Sequence, residues 1–338
     1  MIDLLVVGGG PAGLATAIYG VRAGLEVVLV ERRAPPVDKA CGEGLMPHTL
    51  GQLHGLGVDP AGRAFTGITY SDGRHSVTGP FRNGPGRGVR RTVLHEALWE
   101  AASKAGVRVE SGAVGMVEQD AESVRGNGFR ARYLAAADGL HSPIRTSLGL
   151  TVPASGPRRW GIRRHYAVAP WSDCVEVYWS DDGEAYVTPV ADDCVGVAIL
   201  TARRNGFDHH LASFSALRDR VAERGHAPEL AAGPLRQQVR RRVAGRVLLV
   251  GDAAGYVDAL TGEGLGIAFG AAALLVDCIA HDRPADYERR WQRMSRRYRM
   301  LTAGLVRATA FPSVRSRLVP AAASAPSVFT RAVNLLAE

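Results

Sequence analysis

The residues best placed to do chemistry lie at the start of the chain. There Gly8-Gly9-Gly10-Pro11-Ala12-Gly13 follows the apolar run Ile2 to Val7 and precedes a helical pattern through Ala15, Ile18, Tyr19 and Val21. Gly8 permits a tight turn, Gly10 lets a pyrophosphate approach the backbone, and Gly13 lets the helix pack closely on the strand. Free amides at the helix start, with Pro11 and Ala12 among the candidate contacts, then face the anion. A second apolar run, Val27 to Val30, ends in Glu31, 18 residues after Gly13. Its carboxylate can accept hydrogen bonds from both ribose hydroxyls, and the adjacent Arg32 joins the candidate contacts. This unit predicts a dinucleotide site and leaves open whether the ligand is FAD or NAD(P).

Two later motifs bear on that choice. Ala137-Asp138-Gly139 with Ser142 and Arg145 closes one strand, and Gly251-Asp252-Ala253-Ala254-Gly255 follows the apolar run Val247 to Val250. With these the chain resembles the FAD-dependent oxidoreductases of the aromatic-hydroxylase and geranylgeranyl-reductase superfamily, whose GxGxxG, DG and GD fingerprints occur in this order. The resemblance extends over nearly the whole chain. It implies that Asp252 bonds the ribityl chain of FAD, that the Asp138 segment supports the pyrophosphate region and a passing nicotinamide cofactor, and that Arg91, at the start of a helix with Leu94 and Leu98, contacts FAD.

Within that superfamily, Lys39-Ala40-Cys41-Gly42-Glu43-Gly44-Leu45 is similar to the KxCGxG(L) segment of the geranylgeranyl reductases. Asp258-Ala259-Leu260-Thr261-Gly262-Glu263-Gly264-Leu265 is similar to their DPxTGEG(I) segment, with Ala259 in place of proline. Small residues at Cys41, Gly42 and Gly44 allow backbone to lie against the flavin ring. Gly262, Gly264 and Leu265 open a helix whose positive end can stabilise charge on the reduced ring. Cys41 is the candidate proton donor, its other reading being a compact residue packed on the cofactor. Glu43 reads as a solvated loop charge, with a proton relay as the alternative. Tyr186, Pro189, Trp179 and His165 are the candidate substrate contacts.

The resemblance implies an NAD(P)H-dependent FAD enzyme that passes a hydride from reduced flavin to a C=C bond of a small apolar, isoprenoid- or polyketide-like substrate. A monooxygenase acting through a flavin C4a-hydroperoxide is the alternative, and a non-catalytic flavin-binding protein is a third reading. No metal site is expected, because the four cysteines are scattered and the histidines lack partners at useful spacing.

These residues need an α/β scaffold: a Rossmann-like FAD-binding domain of the glutathione-reductase type, an inserted β-sheet substrate-binding domain and a helical C-terminal region. The expected division assigns 1–70, 88–158 and 240–285 to the cofactor, 71–87 and 159–239 to the β-rich portion, and 286–338 to the C-terminal helices. Helical spacing is read over Thr92 to Ala105, Leu211 to Arg224, Leu265 to Ala280 and Tyr287 to Leu305. Polar Ser-Asp-Asp-Gly and Ala-Asp-Asp spacers mark hairpin turns between Cys174 and Leu200.

The 338 residues are 46% hydrophobic, enough for a large core. The start of the chain shows no signal-peptide pattern, and no apolar run reaches a membrane span; a cytoplasmic protein is expected, with peripheral membrane contact left open. The net charge of +8 is concentrated: from Asp282 to Glu338 eleven arginines stand against four acids. With the body almost neutral, nucleic-acid binding loses support. The basic C-terminal region reads as a solvated helix face or as a contact for an anionic membrane or acidic carrier.

Overall fold

The computed structural model describes residues 1–337. The chain opens with strand β1 (Ile2–Val7), helix α1 (Pro11–Arg22) and strand β2 (Val27–Glu31). All of β2 and all of β1 except Asp3 are buried, as parallel strands covered on both faces must be. α1 starts on Pro11, whose fixed φ and missing N–H suit a first helical turn.

There follow α2 (Pro47–Gly55), β3 (Gly67–Ser71), β4 (Ser76–Pro80), α3 (Arg91–Lys104), β5 (Arg108–Ser111) and β6 (Phe129–Ala136). The middle of the chain forms β7 (Trp160–Ala167), β8 (Val175–Ser180), β9 (Gly183–Ala191), β10 (Cys194–Thr201) and β11 (Leu230–Ala232). It then returns to β12 (Val247–Leu249), α4 (Gly264–Ala280), α5 (Pro284–Thr309), α6 (Pro312–Ser324) and α7 (Pro326–Ala337).

The first large sheet has β12, β6, β1, β2 and β5 side by side and parallel, with short antiparallel strands added at β12 and β6. Its core is built from side chains such as Leu4, Leu5, Val6, Leu29, Leu134 and Leu248, with α1 and α4 packed together over it. This order positions the site. Gly8, Glu31, Asp138 and Asp252 all sit at or just beyond the carboxyl ends of four neighbouring parallel strands, where open α/β sheets bind ligands.

The second sheet runs β11-β7-β10-β9-β8-β3-β4 and is antiparallel except for the β8–β3 pair. It therefore takes in residues 67–70, which the sequence division had assigned to the cofactor-binding half. The divergence has a simple cause: β3 pairs with β8, more than 100 residues later, and local pattern carries no trace of that partner. The helix expected from Leu211 to Arg224 is two short ones, Phe207–Leu211 and Ser215–Val221.

α5, α6 and α7 lie against the second sheet and the 258–263 segment. α7 covers β4 so closely that a Cβ on Gly79 would stand 2.9 Å from Val333 Cγ2. The Asn334 side chain accepts from Arg82 N and donates to Pro80 O, both at 2.8 Å. Among the described residues, no helix is long and apolar enough to cross a membrane.

Candidate active site

The glycine turn is shaped by what a side chain would strike. Gly8 has φ +104°, and a Cβ there would lie 2.4 Å from Ala137 O; at Gly13 it would lie 1.8 Å from Gly8 O. Neither position tolerates any other residue without moving backbone. Gly10 is open by contrast: the nearest group to a Cβ there is an Arg91 guanidinium nitrogen at 3.9 Å. Glu31 is buried at the end of β2, accepting from Gly9 N at 2.6 Å and from Arg33 N at 2.9 Å. Both arginines are exposed, but Arg33 Nε stands 3.5 Å from Glu31, whereas Arg32, the sequence candidate, forms no ion pair among the described residues.

His95 is a further residue of the site, absent from the sequence candidates. Its buried ring bonds Gly9 O at 2.9 Å through Nε2 and stacks on Trp99. Burial lowers its pKa, so the neutral ring is the donor that holds the glycine turn in place. The signal was present in the spacing, since His95 lies one turn after Arg91 on the same helix.

Arg91 begins α3 and is buried, and its Nε has no partner. Burial works against its charge, while Asp252 and Asp38 nearby support it. Asp138 accepts from Ile144 N at 3.1 Å through one carboxylate oxygen and leaves the other buried without a donor; burial raises its pKa. Arg145, fully enclosed, donates to the carbonyls of Leu140, Asp252 and Ala253 and to Gln237 Oε1. It thereby ties the Asp138 and Asp252 segments together. Lys39 Nζ meets Asp252 Oδ2 at 2.9 Å.

A cradle stripped of side chains, an orphaned guanidinium nitrogen beside it and an orphaned carboxylate oxygen at the next strand end fit a dinucleotide bearing a diphosphate. A cavity of about 220 Å³ adjoins Asp252, Tyr256 and Gly264 and extends to Arg236 and Trp291. Ligand pockets usually hold roughly 300–1,000 Å³, so this space takes only part of such a ligand.

Two loops close over this edge of the sheet, and each is pinned to the second sheet by buried charge. In the first, Cys41 Sγ accepts from Glu43 N at 3.4 Å, and burial pushes the thiol pKa up. Gly42 O accepts from Thr188 Oγ1 at 2.8 Å. Glu43 corrects the expectation of a solvated charge: it is 3% exposed, at φ +60°. Its carboxylate accepts from Arg91 N at 2.8 Å and pairs with His165 Nε2 at 2.6 Å. Arg163 donates to His165 Nδ1 at 2.9 Å, which leaves the Nε2 proton to face Glu43. His165 is thus committed inside this network rather than free to hold a substrate head. Gly44 backs onto Phe65.

In the second loop, Asp258 lies 3.7 Å from Arg159 Nε, and Arg159 also pairs with Glu184. All three are buried, and burial raises the pKa of both carboxyls. Tyr186 donates to Leu260 O at 2.8 Å. Gly262 has φ +72°, and Gly264 and Leu265 open α4 just beyond it. His48 bridges Glu263 at 3.1 Å and Ala337 O at 3.1 Å. Pro189 is buried, its carbonyl against Gly88. Trp179 does not line an open cavity. It sits beneath the C-terminal helices with Leu260, Val306 and Val319, 5.4 Å from the Tyr70 ring.

Parallel strands delivering a glycine cradle, Glu31, Asp138 and Asp252 to one edge, with an arginine held beside the cradle, define an FAD-dependent oxidoreductase. The sequence profile of the FAD binding domain family matches residues 1–282, and the chain belongs to that family. It is 28% identical over 304 residues to a menaquinone reductase of Mycobacterium tuberculosis, covering 78% of this chain and 72% of that one. It is 29% identical over 335 residues to digeranylgeranylglycerophospholipid reductase 1 of Methanothermobacter thermautotrophicus, covering 85% and 81%. In fold it is similar to the myxobacterial chondrochloren halogenase CndH, with a TM-score of 0.80 at 19% identity over 99% of this chain and 95% of that one.

Proposed function

We propose that this flavoenzyme is a reductase that saturates a C=C bond in a small apolar, isoprenoid-like substrate, with NAD(P)H as the electron donor. The observation that carries the reading is the placement of Cys41: its half-buried thiol lies in a loop fixed by Glu43, near the cofactor residue Arg91. Saturation of an alkene needs a hydride on one carbon and a proton on the other. Bound and reduced FAD supplies the hydride. Cys41 delivers the proton from Sγ and regains it from solvent.

The other residues act by holding. The N–H groups of Gly10, Ala12 and Gly13 and the Arg91 guanidinium would bind the diphosphate, Glu31 would accept from ribose hydroxyls, and Asp252 would accept from the ribityl chain. The amides of Gly264 and Leu265, at the positive end of the 17-residue α4, stabilise negative charge on the ring. The reductase names of both relatives reported above support the reaction, and the geranylgeranyl group in one of them supports the substrate class. Four free thiols suit a reducing, cytoplasmic compartment.

The test is an anaerobic incubation of FAD-loaded protein with NADPH or NADH and a geranylgeranyl compound. The expected product carries two added hydrogens, and Cys41→Ser slows its formation at least tenfold while leaving FAD bound. A hydroxylated product that forms only with oxygen overturns the reductase reading in favour of a monooxygenase. Nicotinamide consumption absent under every condition points to a non-catalytic flavoprotein. Asp252→Ala should lower FAD retention; full retention removes Asp252 from the cofactor set.

A further inference from the structure

From Arg289 to Ala337 there is no aspartate or glutamate, while ten arginines fall in the same stretch. Arg289 and Arg290 pair with Asp286 and Asp277. Arg293, Arg296, Arg297 and Arg307 form no ion pair or hydrogen bond among the described residues and are exposed. Their spacing places them on one face of α5, together with Met300 and Gly304, opposite the buried Tyr287, Trp291, Ser295, Thr302 and Val306. The outer face of a 26-residue helix is therefore cationic along several turns, with no ion-pair partner for these four arginines among the described residues.

The same region carries the exposed apolar side chains. Of the ten large apolar residues that stand exposed among the described residues, seven lie between Met294 and Leu335, so the distribution is not the ordinary scatter of a protein surface. Four of them flank the α5–α6 corner: Met300, Leu301, Phe311 and Val314, with Met300 64% and Phe311 60% exposed. Arg307 and Arg317 stand among them, also exposed.

We infer that the outer face of α5 and the α5–α6 corner dock on an anionic lipid surface, with Met300, Leu301, Phe311 and Val314 entering the headgroup–acyl boundary and the arginines meeting lipid phosphates and carboxylates. The interleaving of apolar and basic residues selects this partner. A nucleic acid uses the charge but leaves the aliphatic side chains in water, whereas a bilayer interface satisfies both. The inference stands on this surface alone and holds whether the reaction is reduction or oxygenation.

The experiment is co-sedimentation of the full FAD-loaded protein with vesicles of phosphatidylcholine alone, or of phosphatidylcholine and phosphatidylserine in equal parts. Binding is expected only to the mixed vesicles, weakening as salt is raised. Arg293→Gln/Arg296→Gln/Arg297→Gln should weaken it roughly 100-fold, at about fivefold for each charge, and Phe311→Ser about tenfold. Met116→Ser, at an exposed apolar residue outside this surface, should leave it unchanged. Flavin content and melting temperature equal to those of the parent show that each variant folds, and Arg307→Gln/Arg317→Gln replaces the triple variant should that one not fold. The inference is overturned by absence of binding to mixed vesicles, or by binding that ignores both the arginines and Phe311. It is equally overturned by capture of duplex DNA in place of vesicles, or by a dimer that Phe311→Ser dissociates while vesicles stay unbound.

Discussion

The two loops that close over the cofactor edge are anchored to the same sheet by different electrostatics. In the first, one buried carboxylate, Glu43, meets a backbone N–H and an imidazole that is itself held by Arg163. In the second, two buried carboxylates, Glu184 and Asp258, share the single guanidinium of Arg159. In the first cluster Arg163 Nε also stands 4.0 Å from the Glu43 carboxylate as a buried counter-charge. In the second, loss of solvent raises both carboxyls, Arg159 opposes that rise, and Asp258 adds to it at Glu184. Two anchors on one sheet are thus not equivalent: the first gives each oxygen of a single carboxylate its own donor, whereas the second makes two carboxylates depend on one guanidinium.

The comparison is broken most forcefully at Arg159. Arg159→Met leaves two buried carboxyls without their cation and should destabilise the protein by about 3–5 kcal/mol, seen as a large fall in melting temperature; a small fall shows that the second anchor does not depend on charge. Glu43→Ala strands the Arg91 N–H and His165, a loss of about 2 kcal/mol. Glu43→Gly should lose less, because glycine accepts φ +60° without strain. Equal losses would mean that the backbone there is unstrained.

A smaller effect separates the clusters by pH. The folded protein binds protons at Glu184 and Asp258 more tightly than the unfolded chain does, so stability falls as pH rises from the ordinary carboxyl range through the raised folded values. Glu184→Gln removes one of these groups and should flatten that fall while changing stability at neutral pH by only about 1 kcal/mol. An unchanged slope in a urea titration at several pH values would place the pH dependence elsewhere. The smallest change expected is Thr188→Val, which removes one hydrogen bond to Gly42 O, about 0.5 kcal/mol, and tests whether the first loop relies on more than Glu43.

What was legible in the sequence follows the same division. The glycine turn, Glu31, Asp138 and Asp252 were readable because each is a local requirement: a turn, a strand end, a helix start. The burial of Glu43 was not, since glycine neighbours and a charge read as solvent-facing loop, and its partner His165 is 122 residues away. For the same reason strand pattern points to His165 and Trp179 as substrate contacts, although both are covered by the protein itself. Alternation along a strand shows that a side chain is covered, but not whether a ligand, a second loop or a distant helix covers it. His95 escaped notice because its role depends on how α3 meets the glycine turn.

The packing of α7 on β4 has a consequence for biosynthesis. Pro80 and Arg82 are held by Asn334, about 250 residues later, and Val77 packs on Phe329 and Val333. At ordinary translation rates that interval is on the order of ten to fifty seconds. Throughout it, the apolar face around Val77 and Gly79 has no native cover on the ribosome. That face gains its native cover only once α7 has been made and docks on β4.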